Sequence, residues 1–231
     1  VTKFLKDKLT VDLSASYILQ DNKNMIAAGK YFNPLPALYL FPRGDDFDNV
    51  RLYQRWDESR NLYTQAWDYG SGDMSFQNPY WIMNKMINQT KKRRYMLSAN
   101  LKYDVTDWLD VTGRVKVDNA DMDITEKRYA GTDTNFAGEK GMYSIIKRND
   151  RQIYADASAN IDLTFAGDYH LSANVGASLK DVRMDFMGWG GDLRKIPNFF
   201  SITNISTTNY KEREDGSHIQ SQSIFANVEL A

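Results

Sequence analysis

Apolar residues recur at every second position along most of this chain. From Ile153 to Phe165 the odd positions read Ile, Ala, Ala, Ala, Ile, Leu, Phe, and the even ones Tyr, Asp, Ser, Asn, Asp, Thr. From Tyr169 to Leu179 the pattern repeats, with Leu171, Ala173, Val175 and Ala177 alternating with His170, Ser172, Asn174, Gly176 and Ser178. A helix, with its period of 3.6, would scatter these residues around its circumference, so the spacing predicts strands. The same alternation runs through Val11 to Leu19, Tyr95 to Tyr103, Leu109 to Val117 and Ile224 to Leu230. Six strands are predicted, over roughly 9–20, 93–104, 108–128, 151–166, 168–186 and 218–231. The last is still alternating at Ala231 and the chain does not open on Met, so it is expected to be an internal piece of a longer protein.

The connections alternate as well. Tight turns are predicted at Asp7-Lys8, Val105-Thr106 and Gly167, and long connections over about 21–92, 129–150 and 187–217. In an up-and-down meander, alternate connections lie at the same end. One end is therefore trimmed and the other carries large excursions, which is the plan of an outer-membrane β-barrel. Strands can span lipid only as a closed barrel, with the apolar face outward. On that reading Asn100, Lys102, Arg114, Lys116 and Asp118 line a watery lumen, and Tyr103, Phe165 and Tyr169 form an interfacial girdle. A soluble β-sandwich, such as a carbohydrate-binding module, would alternate too. Its apolar faces would be thin here, because they use Ala155, Ala157, Ala159, Ala173 and Ala177.

Composition narrows the chemistry. Lys and Arg number 29 and Asp and Glu 30, a net charge of −1 over 231 residues, so no general attraction to nucleic acid is expected. Cysteine is absent, which excludes disulfides, thiolate metal sites and cysteine nucleophiles. No apolar run is long enough for a transmembrane helix. No cofactor or metal is expected. "DNADMD" (Asp118 to Asp123) lacks the Gly and distal Glu of a calcium loop and is expected to be a solvated strand end. "MGWGGD" (Met187 to Asp192) lacks the Lys of a phosphate loop and is expected to let a loop turn sharply. His170 and His218 have no nucleophile nearby in pattern, so no enzyme is expected. "KKRR" (Lys91 to Arg94) has the charge to meet lipopolysaccharide phosphates.

Several stretches then resemble a known family. "FLKDKLTVDLSASYI", "NPLPALYLFPRGDDF", "NPYWIMNKMINQTKKRR" with "LKYDVTDWLDVTGRVKVD", and "SQSIFANVELA" resemble the barrel region of SusC/RagA-type TonB-dependent outer-membrane transporters. The resemblance covers almost the whole chain, and Asn78 to Trp81 with the hairpin that follows is its most specific part. It implies that 1–231 is a partial outer-membrane barrel domain of about six strands out of about 22, without the plug. It further implies import of oligosaccharide or peptide under a SusD-like surface lipoprotein. Energy would come from the TonB complex through a missing N-terminal region, and the barrel would sit in outer-membrane lipid and lipopolysaccharide.

The first long connection is rich in aromatic residues, whose faces suit sugar C–H groups. Trp56, Trp67, Tyr69, Tyr80 and Trp81 are the candidate substrate-binding residues, with Asp45, Asp46, Asp57, Glu58 and Arg60 as polar neighbours. For the Asn78–Trp81 segment, a structural anchor where the loop re-enters the barrel is the preferred reading.

Overall fold

A computed structural model describes residues 2–5, 7–26, 28–69, 76–208 and 211–231. In chain order the elements are β1 (Thr2–Phe4), β2 (Leu9–Lys23), α1 (Pro34–Tyr39), α2 (Asp48–Arg51), β3 (Gln54–Asp57) and β4 (Leu62–Gln65). Then follow α3 (Pro79–Lys85), β5 (Met86–Asp104), β6 (Leu109–Tyr129), β7 (Gly141–Phe165), β8 (Tyr169–Asp192), a 3-10 turn (Ile202–Asn204) and β9 (Lys211–Leu230). One antiparallel meander holds β1-β2-β5-β6-β7-β8-β9, and β3-β4 form a separate hairpin. The six predicted strands are all present in the predicted order, so the fold is all-β.

Registers run without a slip along each long ladder, from Leu9↔Tyr103 to Lys23↔Gln89 between β2 and β5, for example. The strands are longer than the alternation indicated, because their upper ends keep pairing after the apolar residues stop. The second long connection therefore shrinks to 130–140 and the third to 193–210, while the first, 24–85, holds all three helices and the hairpin. The expected turn at Met187 to Asp192 is corrected: these residues are the end of β8, with Gly188 on the rung of Ile146 and Gly190 on that of Ser144. Asp118 to Asp123 likewise lie within β6, not at its end.

No second sheet packs on the meander among the described residues. Leu13 is 71% exposed and Ile224 87%. The buried cores lie at the long-loop end instead: Trp81, Ile82 and Met86 in one, Tyr143, Leu193 and Ile205 in another. A sandwich would bury the apolar strand face, and this molecule does not. No helix among the described residues is long and apolar enough to cross a membrane.

Candidate functional site

The two faces of the meander are chemically distinct, and the boundary on the apolar face runs obliquely. Toward the long loops its unbroken apolar run ends at Leu19 on β2, Tyr95 on β5, Val117 on β6, Ile153 on β7, Leu179 on β8 and Ile224 on β9. The next residue on that face is Asp21, Arg93, Asn119, Arg151, Asp181 or Gln222. Ile224 shares a rung with Ala177, Ala157, Gly113, Leu101 and Val11. Leu19 lies eight residues beyond Val11 on β2, so the boundary falls by that amount over five inter-strand steps. At about 3.3 Å per residue and about 4.8 Å per step, the band is inclined by roughly 45° to the rungs. The other edge drops the same way: Ala159 shares the rung of Tyr103 through Val111, and the Phe165↔Tyr169 rung lies six residues further along β7. Strands tilted through a flat apolar layer produce this pattern.

The opposite face is a polar wall. Arg114 Nε donates to Asp156 at 2.7 Å and its guanidinium lies 5.5 Å from the Tyr154 ring centre. Arg94 is paired with Asp118, and Lys102 sits 3.4 Å from both Asp104 and Asp110. The Thr112 and Ser158 hydroxyls bond at 2.8 Å. The Phe225 ring lies over Gly176, where a Cβ would come within 2.5 Å of it. Toward the long loops this face opens into a cavity of about 710 Å³. Its lining includes Ser144, Phe186, Gly188, Gly190 and Arg213 on the wall and Phe136 above. Arg213 stacks on Phe186 at 5.3 Å. Gly190 leaves room for its neighbour, since a Cβ there would lie 2.9 Å from the Ser144 Cβ. The alternation could not have revealed this cavity, because glycine carries no apolar or polar mark.

The three long connections pack into one cap, held by buried amides. Asn78 caps α3 by accepting from the Tyr80 and Trp81 N–H groups at 2.8 and 3.4 Å, with Pro79 at the first helical position. Its amide donates to Val50 O and Ala66 O at 2.8 and 3.1 Å. Gln77 donates to Met86 Sδ at 3.3 Å and accepts from the Asp133 N–H at 3.2 Å. Asn204 accepts from Lys195 N and Ile196 N and donates to Ile196 O and Phe199 O. Asn198 accepts from Ala130 N at 2.7 Å, tying the third connection to the second.

Within this cap the candidate aromatics separate. Trp56 is 49% exposed and meets Tyr63 edge-on at 5.1 Å on the β3–β4 hairpin. Trp67, Tyr69, Phe41 and Phe47 form a chain of edge-to-face contacts at 5.0–5.6 Å. Burial, and then a bond to Asp45, push the Tyr69 phenol pKa up. Tyr80 is half-buried. Trp81 is a correction: it is fully buried, and its indole N–H donates to Thr132 Oγ1 at 3.0 Å. No substrate can reach it, and it is the anchor that the Asn-Pro-Tyr-Trp segment allowed. Asp57, at the turn of the hairpin, accepts from the Ser59 hydroxyl at 2.6 Å and from Ser59 N and Arg60 N at 3.0 and 3.2 Å.

"KKRR" is split by the pleat. Lys92 and Arg94 fall on the polar wall, while Lys91 and Arg93 fall on the other face, where Arg93 meets Asp123 at 3.2 Å. His218, exposed, bonds the half-buried Asp181 at 2.8 Å, and the exposed His170 lies 3.3 Å from Thr164 Oγ1 and 3.7 Å from Asp162.

No family model matches this sequence, and no curated protein matches it either. Among solved structures, the chain is similar in fold to one in the structure of the RagAB peptide importer in the "open-open" state. The TM-score is 0.65 at 12% identity, over 96% of this chain and 24% of that one. This chain therefore spans about a quarter of its structural relative.

Proposed function

We propose that these residues form part of the wall of a TonB-dependent outer-membrane barrel that imports oligosaccharides or peptides. A SusD-like surface lipoprotein would cover the long-loop end, and the plug and the remaining strands, to a total of about 22, would lie outside these residues. The oblique apolar band carries the reading. A slope of roughly 45° matches the 35–45° tilt of strands in membrane barrels. The band is nine residues long on β5, Tyr95 to Tyr103, and thirteen on β7, Ile153 to Phe165. A tilted strand needs about 9–11 to cross hydrocarbon. Tyr17 and Tyr95 at one edge and Tyr103, Phe165 and Tyr169 at the other suit two interfacial girdles. The fold shared with the RagAB importer chain supports the same reading, as does the sequence resemblance. The substrate would pass along the polar wall, and no catalytic step is assigned to it.

The test is a pair of spin labels in the full-length protein in outer-membrane vesicles, one at Ala157 and one at Ser158. The Ala157 label should respond to oxygen dissolved in lipid and the Ser158 label to a water-soluble relaxation agent. Equal exposure to water at both positions would exclude a membrane wall.

A further inference from the structure

On the face assigned to lipid, one rung leaves the oblique apolar band as it crosses the sheet: Tyr17 and Tyr95 lie within the band and Asn119, Arg151, Arg183 and His218 beyond it, in ladder order. Arg151 and Arg183 are direct cross-strand partners on β7 and β8, and both are exposed. Like charges directly opposite each other in a sheet are destabilising. The cost rises where a bilayer lowers the local dielectric. The nearby acids relieve it only in part. Asp185 engages only the Nε of Arg183, at 3.1 Å, leaving the two terminal amino groups unspent. Asp181 bonds His218 at 2.8 Å and Gln220 at 2.6 Å, both through Oδ2, and its carboxylate also meets the charge of Arg151. Arg151 has no hydrogen bond or ion pair among the described residues.

The level of this rung identifies what would offset the repulsion. Arg151 stands two residues beyond Ile153 and Arg183 four residues beyond Leu179, where the unbroken apolar runs of their strands end. At about 3.3 Å per residue and a tilt of roughly 45°, their backbones lie about 5 and about 9 Å past the edge of the apolar layer. Headgroups occupy about the first 5–8 Å there, and long guanidinium side chains reach down into them. Two planar guanidinium groups carried on directly opposite positions of one rung have the reach to share a phosphate, whose oxygens accept paired N–H bonds.

We infer that Arg151 and Arg183 clamp the phosphate of a membrane-lipid headgroup. The inference rests on the reading that this face meets lipid. Lys91 to Arg94, the more conspicuous cationic run, is not the site, because half of it points to the other face and Arg93 is held by Asp123.

The test uses the full-length protein in phosphatidylcholine nanodiscs with and without phosphatidic acid, with retained lipid counted by native mass spectrometry. The wild-type protein should retain phosphatidic acid, and the Arg151→Gln/Arg183→Gln variant should lose about tenfold or more of that affinity. Lys92→Gln/Lys180→Gln removes the same charge from the opposite face and should change nothing. Undiminished retention by the arginine variant overturns the clamp. So does equal occupancy by inorganic phosphate, which would make it a general anion site. Retention lost only in the lysine variant would instead overturn the assignment of faces, and with it the proposed function. A variant that misfolds is recognised by loss of the Ala157–Ser158 label contrast, and Arg151→Lys/Arg183→Lys then decides. Keeping the charge without the planar fork, it should fold and retain phosphatidic acid more weakly than wild type.

Discussion

The indole N–H of Trp81 donates to the hydroxyl of Thr132 at 3.0 Å, across 51 residues of chain and with both side chains buried. The bond joins the first long connection to the second. Thr132→Val keeps the shape and leaves the indole N–H unsatisfied, which should cost about 1–3 kcal/mol. Trp81→Ala removes the largest fully buried side chain and should cost about 3–5 kcal/mol. Both losses should appear as faster hydrogen exchange in 24–85 and 130–140, with the exchange of β7 and β8 unchanged. Uniform loss of protection across the meander would mean that the cap is not a separate cooperative unit.

Asn78 makes four hydrogen bonds in the cap through its side chain, as many as Asn204. It caps α3 and also satisfies two carbonyls from distant parts of the same connection. Asn78→Ala strands those carbonyls and the start of the helix together. A loss of about 2–4 kcal/mol is expected, from a cap worth about 1 and one or two unsatisfied buried groups. Asn78→Asp keeps the cap and loses the donors, so it should fall between the two. Limited proteolysis of the first connection reads this order directly.

On the polar wall, Gly176 lies beneath the ring of Phe225, and a Cβ there would also sit 2.7 Å from the Ala157 carbonyl oxygen. Gly176→Ala must therefore move backbone as well as the ring, at a cost of about 1–3 kcal/mol. Phe225→Ala should rescue only part of that loss, since the carbonyl contact remains. Full rescue in a double-mutant cycle would show that the ring alone sets the constraint.

The meander was legible because its residues carry period two in side-chain polarity: Leu97, Ala99 and Leu101 against Ser98, Asn100 and Lys102 leave little choice. The extra strand length was not. Lys91, Lys92, Arg93 and Arg94 are polar on both faces, so pairing continues where the pattern falls silent. The β3–β4 hairpin, four residues a side, is too short for periodicity to separate it from a loop. Of the candidate aromatics, sequence supplied the residue type but not the burial. Trp56 and Trp81 look alike along the chain, yet one is half-exposed and the other has no accessible surface. Asn78-Pro79 was the signal that could have separated them, since an N-cap followed by proline marks a helix start and places Trp81 in its first turn.

Strong acid should loosen the turn of the hairpin while the parts of the cap held by the Asn78, Gln77 and Asn204 amides stay in place. The Ser59 hydroxyl, with the Arg60 and Ser59 N–H groups and the Arg60 charge, holds the Asp57 carboxyl below its ordinary pKa. A depressed carboxylate pKa adds stability that is present above the unfolded value and lost as pH falls through the folded one. The turn should therefore be intact at neutral pH and loosen only below the usual carboxylate range. Trp56 adjoins Asp57 and touches Tyr63, so its fluorescence reports the change. Ser59→Ala should move the transition to higher pH. An unshifted transition would assign the depression to the backbone donors instead.

Exposure separates the remaining candidate aromatics, and under the proposed function it ranks them as substrate contacts. Trp56 and Tyr63 are about half-exposed on a hairpin outside the meander, and Trp67 and Tyr69 are half-buried, Trp67 against Tyr69 and Tyr69 against Phe41. An aromatic contact is worth about 0.5–1.5 kcal/mol beyond area burial, which corresponds to a loss of about two- to tenfold in affinity when one is removed. Trp56→Ala should weaken substrate capture by that factor and leave the stability of the cap unchanged. Trp67→Ala should weaken capture and destabilise the cap together, because its ring also packs on Tyr69. Binding to the full-length protein, measured beside hydrogen exchange of 24–85, separates the two. If Trp56→Ala binds as well as wild type while Gly188→Val does not, the substrate is read at the glycine-lined cavity of the wall and the hairpin aromatics serve another contact. A Cβ at Gly188 meets Ile146 and Phe186 only at ordinary contact distance, 3.4 Å, so alanine fits there without strain and the larger valine fills the cavity.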